Sequence, residues 1–541
     1  MKRVLFVISF LLAATVSQTS AQTVGFEAVR AMSNAEGAPV AQSTVIEGVV
    51  IGDCGSPNMD NNPNLNYYSV NTSVNDCTNY IQSADGRYGF RLQFDHSMYN
   101  RLPRYARATL DIAGATVVRQ NNPERYTISG LTSANIVRVE AGDPSAVAVK
   151  HRRISQLCDA DVYTYVLLDD VCFTFRNGCY TNIWEPYAQP SSVNSMLEPN
   201  GRMDSWAALV SDASDCERGI YMLVNTKCEW RRSGKPVPQG RGSVGGVVVF
   251  PWQRRYGGWM GRYGIRPIDE KDITVGNKRK EYPFRTHVGW FYDDNPSAEL
   301  TFENMGTVAG VKSAKYSGDA VLAEVGSGKL WSDSQAFVML ASDYNALNAA
   351  NKGWVANAAL RFDAPSSAWY EWNAAGEMTG TKSVFVEFST EKLRAAQMLF
   401  CFRFGAGAQS CETSYDFPAQ WCVEYSTDGG RTFERLREVA TGKSVIAMRA
   451  LPWWDKVLKE RGNLKAKTSY DAALGYTDHA FVLPHDCFLR KRVTVRITPA
   501  NDLLADVSAN PKANTVGKRR ASADNDHKTV IRFGEIAVMY R

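Results

Sequence analysis

The chain has 541 residues, of which 44% are hydrophobic and 11% aromatic, with 61 Lys+Arg against 56 Asp+Glu and a formal net charge of +5. That apolar content supports several packed cores and excludes wholesale disorder. So mild a charge gives no argument for a polyanion partner.

The first predicted element is a secretory signal. Lys2 and Arg3 form a charged start, Val4 to Val16 an apolar core, and Thr19-Ser20-Ala21 a small-residue cleavage site. The signal is assigned to residues 1–21 and the mature chain begins near Gln22. The apolar core is too short to span a bilayer, and no later stretch reaches about 18 uninterrupted apolar residues. No cysteine follows the cleavage site, which removes the acceptor for a bacterial lipoprotein anchor.

A short helix is predicted around Gly25 to Ala35, where Phe26, Val29 and Met32 recur at helical spacing. Strand signals then dominate. Val45 to Ile51 is a strand, and Asp53 to Thr78 is a polar loop rich in Asn, Pro and Ser. Asn79 to Ser83 and Tyr88 to Phe94 form a hairpin turned at Asp85-Gly86. Ala108 to Ile112 and Arg125 to Ser129 complete a unit over 22–150, the size of a small Greek-key barrel of the OB type.

A second unit over 151–280 begins with strands at Tyr163 to Leu168 and Val171 to Phe175. It crosses a Pro- and Ser-bearing loop from Asn182 to Arg202, adds a strand at Ile220 to Val224, and closes with a long hairpin from Pro238 to Ile273. Both units run strand, long insertion, hairpin, terminal strand, which suggests a divergent repeat.

After a basic linker with Lys278-Arg279-Lys280, the texture becomes alternating strands. They are Leu300 to Glu303, Ala359 to Phe362, Ser383 to Phe388, Met398 to Phe404, Trp421 to Tyr425, Val493 to Ile497, Val530 to Phe533 and Glu535 to Met539. Over 281–541 they fit a two-sheet jelly roll. Pro499 to Lys528 has little apolar content and reads as a mobile loop, its Lys518-Arg519-Arg520 run as a solvated one. The predicted fold class is therefore all-β: two tandem OB-like barrels and a C-terminal β-sandwich.

Eleven cysteines in an exported chain suggest disulfides with at least one thiol left over. The pairs nearest in sequence are Cys54–Cys77, Cys172–Cys179 and Cys216–Cys228. Cys158, Cys401, Cys411, Cys422 and Cys487 have no partner assignable from sequence, and the alternative reading of several cysteines is as small buried hydrophobes.

Catalytic patterns are poorly represented. The six histidines are scattered, with neither His-Glu-x-x-His nor Gly-x-Ser-x-Gly spacing. Gly442-Lys443-Ser444 has Arg437 where a phosphate loop needs its first glycine. Asp53, Asp60, Asn61, Asn62 and Asp76 put oxygens in one loop without calcium-loop spacing, and serve more simply as turn formers. Neither a cofactor nor a metal is expected, and the chain is not expected to be an enzyme.

The richest candidate site is the tip of the long hairpin. Trp252, Arg254, Arg255, Tyr256, Trp259, Arg262 and Tyr263 interleave rings with guanidinium groups. Sugars lay C–H patches on aromatic faces while neighbouring polar groups take their hydroxyls, so an exposed tip would suit carbohydrate. The alternative is that these rings cap the barrel. The same mixture suits single-stranded nucleic acid, but the near-neutral chain lacks that electrostatic footprint. Trp369 and Trp372, three residues apart, cannot share one strand face.

Val45-Ile-Glu-Gly-Val-Val-Ile-Gly-Asp53, with the following Asp-Gly hairpin, resembles the start of a secreted OB-fold-like domain family of unknown function. Leu167-Leu-Asp-Asp-Val-Cys-Phe173, Pro238 to Gly242, Gly246-Val247 and Ile265 to Ile273 resemble its second half. The resemblance covers residues 25–275, and the insertions Asp53–Thr78 and Asn182–Ser214 depart from the family's compact pattern. Val384 to Thr390 and Trp421 to Gly430 are similar to galactose-binding-like jelly rolls that follow this domain. The family brings no catalytic residues. It implies export to the periplasm, outer-membrane surface or exterior of a Gram-negative bacterium, and a binding or assembly role with a glycan or another envelope protein.

Overall fold

The computed structural model describes residues 23–61, 73–175, 180, 207–225, 228, 230, 237–253, 258–291, 317–319, 322–323, 328–334, 337–342, 358–407, 416–447, 477–506, 519–524 and 528–541. The chain is all-β: strands make up 46% of it. The two α-helices among the described residues are Phe26–Met32 and Ser73–Asp76. The predicted signal segment and the predicted strand at Leu300 to Glu303 lie outside the described residues.

The first unit is built on β1 (Val45–Val50), β2 (Thr78–Gln82), β3 (Gly89–Phe94), β4 (Arg107–Asp111) and β5 (Arg125–Leu131). β1 pairs β2 and β2 pairs β3 antiparallel, β3 pairs β5 parallel, and β1 pairs β4 antiparallel. The β2–β3 turn forms where expected. Gly86 takes a left-handed φ of 70°, while the Asp85 carboxylate accepts from Ser83 Oγ and the Arg87 amide. Phe26 and Val29 of the N-terminal helix pack with Ile46, Ile81, Phe90 and Ile128 in this unit's core.

The second unit repeats this plan with β6 (Tyr165–Phe173), β7 (Ala208–Asp212), β8 (Gly219–Met222), β9 (Gly242–Val249) and β10 (Gly264–Arg266). β6 pairs β7 and β7 pairs β8 antiparallel, β8 pairs β10 parallel, and β6 pairs β9 antiparallel. These are the four pairings of the first unit, strand for strand. β9 also pairs β10, so the second unit closes into a ring. In the first unit the strand Thr116–Gln120 pairs β5 instead, and the sheet runs open over eight strands.

The sequence suggested two strands at Tyr163 to Phe175; the structure has one. Its register against β9 shifts between Leu168 and Val171, and Asp170 sits in the shift at a left-handed φ of 56°. Such a conformation is costly without a side chain that secures it. The Asp170 carboxylate accepts from Arg153 at 2.6 Å, from Arg241 Nε at 2.8 Å and from Ser214 Oγ. Burial opposes its ionisation, but donation from Arg241, Ser214 and Arg153 wins and holds it well below the ordinary carboxylate range.

The C-terminal part is a pair of seven-stranded sheets around one core. The thirteen-residue strand Lys528–Tyr540 is the spine of the first sheet. It pairs Ala358–Pro365 near its start, Arg285–Phe291 near its end and Met398–Gly407 along its other edge. In the second sheet Val384–Phe388, Val493–Pro499 and Gln420–Ser426 lie side by side. Trp290, Phe402, Phe404 and Trp421 fill the space between the sheets. Trp369 is fully buried on a 3-10 turn, edge-on to Trp421 at 5.1 Å.

Two expectations are corrected. The segment read as a mobile loop contributes Leu503–Asp506 and Arg519–Arg520 to a small sheet with Asp416–Pro418, because Leu504 has a core to enter. Cys54, Cys77, Cys172 and Cys216 are thiols, so none of the three predicted local disulfides is present; Cys179 lies outside the described residues. Cys54 is exposed while Cys77 is buried. Cys172 faces the core in mid-strand opposite Ser211, and burial pushes the Cys216 thiol up to about 12.

Asp170→Asn is expected to cost about 1–2 kcal/mol of stability at pH 7, the scale of lost charge-assisted hydrogen bonds. A depressed carboxylate contributes fully above its unfolded value near 4 and loses that contribution as pH falls toward its folded value. Denaturant melts at several pH values should therefore show a gap between variant and wild type that is constant near neutrality and narrows below about pH 4. A gap that widens in acid would contradict this role.

Candidate functional site

Beyond β9 the hairpin tip forms a two-residue ladder, Trp252–Gln253 against Gly258–Trp259, with Trp252 directly opposite Trp259. Residues opposed in this way share one face of the hairpin. Trp252 is 51% exposed, a high value for so large an apolar side chain. Trp259 is half-buried, and the Lys443 ammonium lies 4.3 Å from its ring centroid. Arg254, Arg255 and Tyr256 lie outside the described residues.

Arg262 and Tyr263 turn to Asp159. Arg262 donates through Nε at 2.9 Å and Nη2 at 2.7 Å, and the Tyr263 hydroxyl donates at 2.5 Å. Asp159 Oδ2 also accepts the Glu124 amide at 3.0 Å, at the turn entering β5. Burial opposes ionisation of Asp159, yet the Tyr263 hydroxyl and its other donors hold it below its ordinary value. Burial and that same bond push the Tyr263 phenol up to about 12. This is one anchored cluster, and its ring and guanidinium are committed to it.

The tip is therefore wedged between units. On one side Arg125 of β5 lies 4.3 Å from the Phe250 ring centroid, and Asn61 Nδ2 donates to the Trp252 carbonyl at 3.4 Å. On the other side it meets the sandwich. Gly261 has a φ of 116°, and a Cβ there would stand 2.6 Å from the Ala440 carbonyl oxygen. Only glycine allows that approach. Nothing in the sequence singles out Asp159, Asn61 or Gly261 for these roles. Lys443 stands out there only as part of an incomplete phosphate-loop pattern.

The Asn-rich loop serves as a dock between the first two units. Asn58, fully buried, donates to the carbonyls of Leu223 and Pro267 and accepts from the Asn225 amide and Arg266. Asp60 pairs with Arg91 of β3, and Asn61 Oδ1 accepts from Arg266. Among the described residues no group of three or more His, Cys, Asp or Glu side chains is placed to hold a metal ion.

Two further clusters carry chemistry-bearing groups. A cleft of about 550 Å³ beside the Asp170 shift is lined by Leu167, Asp169, Arg241, Asn277, Lys278 and Arg279. Arg241 and Arg279 there are paired with Asp170. In the second, His479 bridges Glu438 and Thr477, the order of acid, base and hydroxyl found in nucleophile triads. All three side chains are buried, so no substrate reaches that hydroxyl in this arrangement. The cluster instead bonds units together, as Tyr221 of β8 donates to Glu438 at 2.8 Å.

No protein-family profile and no curated protein matches this chain. No helix among the described residues is long and apolar enough to cross a membrane.

Asp159→Ala removes the acceptor shared by Arg262, Tyr263 and the Glu124 amide. It is expected to cost about 1–3 kcal/mol and to speed tryptic cleavage within the tip in limited proteolysis of the native protein. Cleavage at the wild-type rate would show that Asp159 does not anchor the tip.

Proposed function

We propose that this chain is an exported, non-catalytic binding protein of the bacterial cell envelope that takes saccharide on its aromatic hairpin. The observation that carries the reading is Trp252: a half-exposed indole opposite Trp259, on a hairpin fixed at both sides. A ring held ready before ligand arrives spares the ordering cost of binding. Indole faces suit the C–H patches of sugars, and the polar groups of Asn61 and Lys443 stand beside them.

The units that carry the hairpin are read as OB-like barrels, and the C-terminal part as a galactose-binding-like jelly roll. The antiparallel 1–2, 2–3 and 1–4 pairings with a parallel 3–5 pairing, repeated in both units, support the first reading. The two-sheet sandwich is compatible with the second.

A scaffold role for another envelope protein is the second reading. It draws on the strand Ile136–Glu140 at the end of the eight-strand sheet, where Val137 is 60% and Val139 38% exposed. Such an edge can accept a strand from a partner. This reading predicts a stable co-purifying protein and no saccharide binding.

Glycan-array binding of the mature protein tests the main reading. Trp252→Ala should weaken the strongest saccharide about tenfold or more, equivalent to about 1.4 kcal/mol, with an unchanged melting temperature. Full binding by the variant would remove the tip as the site.

A further inference from the structure

The cation beside the tip has a feature that the aromatic pair alone does not explain. Lys443 lies over Trp259, and among the described residues its ammonium forms no ion pair. The acid within electrostatic reach, Glu438, is already engaged by His479, Thr441 and Tyr221. An aromatic face attracts an ammonium through its quadrupole but supplies no lone pair for its N–H groups. Partial burial against the ring lowers the Lys443 ammonium from its ordinary value, with Glu438 opposing. A second cation stands on the same loop. Arg437 Nη1 donates to the Gly442 carbonyl at 3.3 Å, one residue before Lys443, and Arg437 too forms no ion pair among the described residues.

A neutral sugar would leave these two charges idle. An anionic group on the ligand would meet the free donors of Lys443 while its ring lies on the exposed indole of Trp252. We infer that the hairpin site selects acidic saccharides, with Lys443 as the specificity-determining residue and Arg437 adding to the local positive field. The inference rests on the tip being a saccharide site. The shared chemistry is a carboxylate or a sulfate ester on a sugar ring, and the neighbouring pair of rings sets the ring's place. Attraction of this kind in a half-exposed site weakens as salt rises.

The test is a set of titrations at low and high salt with paired probes: oligogalacturonate against its methyl ester, and dextran sulfate against dextran. The expected result is that the wild-type protein binds one charged member at least about fivefold more tightly than its neutral counterpart at low salt, with the ratio shrinking at high salt. Whichever pair shows the preference tells carboxylate from sulfate. Lys443→Gln should bring the ratio close to one, and Lys443→Arg should retain much of it. Trp252→Ala should weaken both members of the pair. Equal binding of charged and neutral members by the wild type, or a ratio unchanged in Lys443→Gln, would overturn the inference. Loss of neutral-sugar binding in Trp252→Ala would then still leave the saccharide reading standing. No binding of any of the four probes would overturn both.

Discussion

A buried polar group tolerates only the docking that satisfies it, because leaving it unpaired costs about 1–3 kcal/mol. Two buried groups, Asn58 and Glu438, and the partly exposed Asp159 set how the parts of this protein meet. Asn58 spends both ends of its amide on the second unit. Asp159 joins the turn before β5 to the hairpin of the second unit. Glu438 joins β8 to the sandwich through Tyr221 and His479. Apolar surfaces alone would permit sliding, since hydrophobic contact is not directional. These groups fix the register, and the place of the hairpin tip follows from it.

The tip then divides by charge. Arg262 and Tyr263 are spent on Asp159 and act as structure. Trp252 stays half in solvent, and Lys443 arrives from the sandwich to cover Trp259. The candidate site is assembled across units, with its rings from the second unit and its polar groups from Asn61 of the first and Lys443 of the sandwich. Rigidity comes from the anchors on both flanks, including the glycine at 261 that lets the two backbones approach.

Much of the architecture is legible in the chain. Alternating β-branched and aromatic runs mark most strands, and the Asp85-Gly86 turn and the long hairpin are visible as turn chemistry between them. The repeat is legible as an order of elements, and the strand pairings carry it through. Other features are not. Nothing local says that Asp170 adopts a left-handed conformation, since its partners Arg153, Arg241 and Ser214 come from distant segments. The same reason hides Asp159 and Lys443: a side chain's role across an interface depends on which units meet, and no spacing rule encodes that. The cysteines mislead because nearness in sequence is not nearness in space, and strand burial is what places Cys172 and Cys216. Leu504, fully buried, gives a core anchor to a segment whose composition reads as a loop.

Everything proposed for the tip requires that Trp252 be presented to solvent and become the contact surface when saccharide binds. Hydroxyl-radical footprinting with mass spectrometry reads that directly, by comparing oxidation of individual tryptophans with and without a bound saccharide. The expected pattern is strong labelling of Trp252 in the free protein, weak labelling of Trp369 and Trp421, and protection of Trp252 on binding. A Trp252 that resists oxidation in the free protein, or one that is oxidised equally when saccharide is bound, would contradict it.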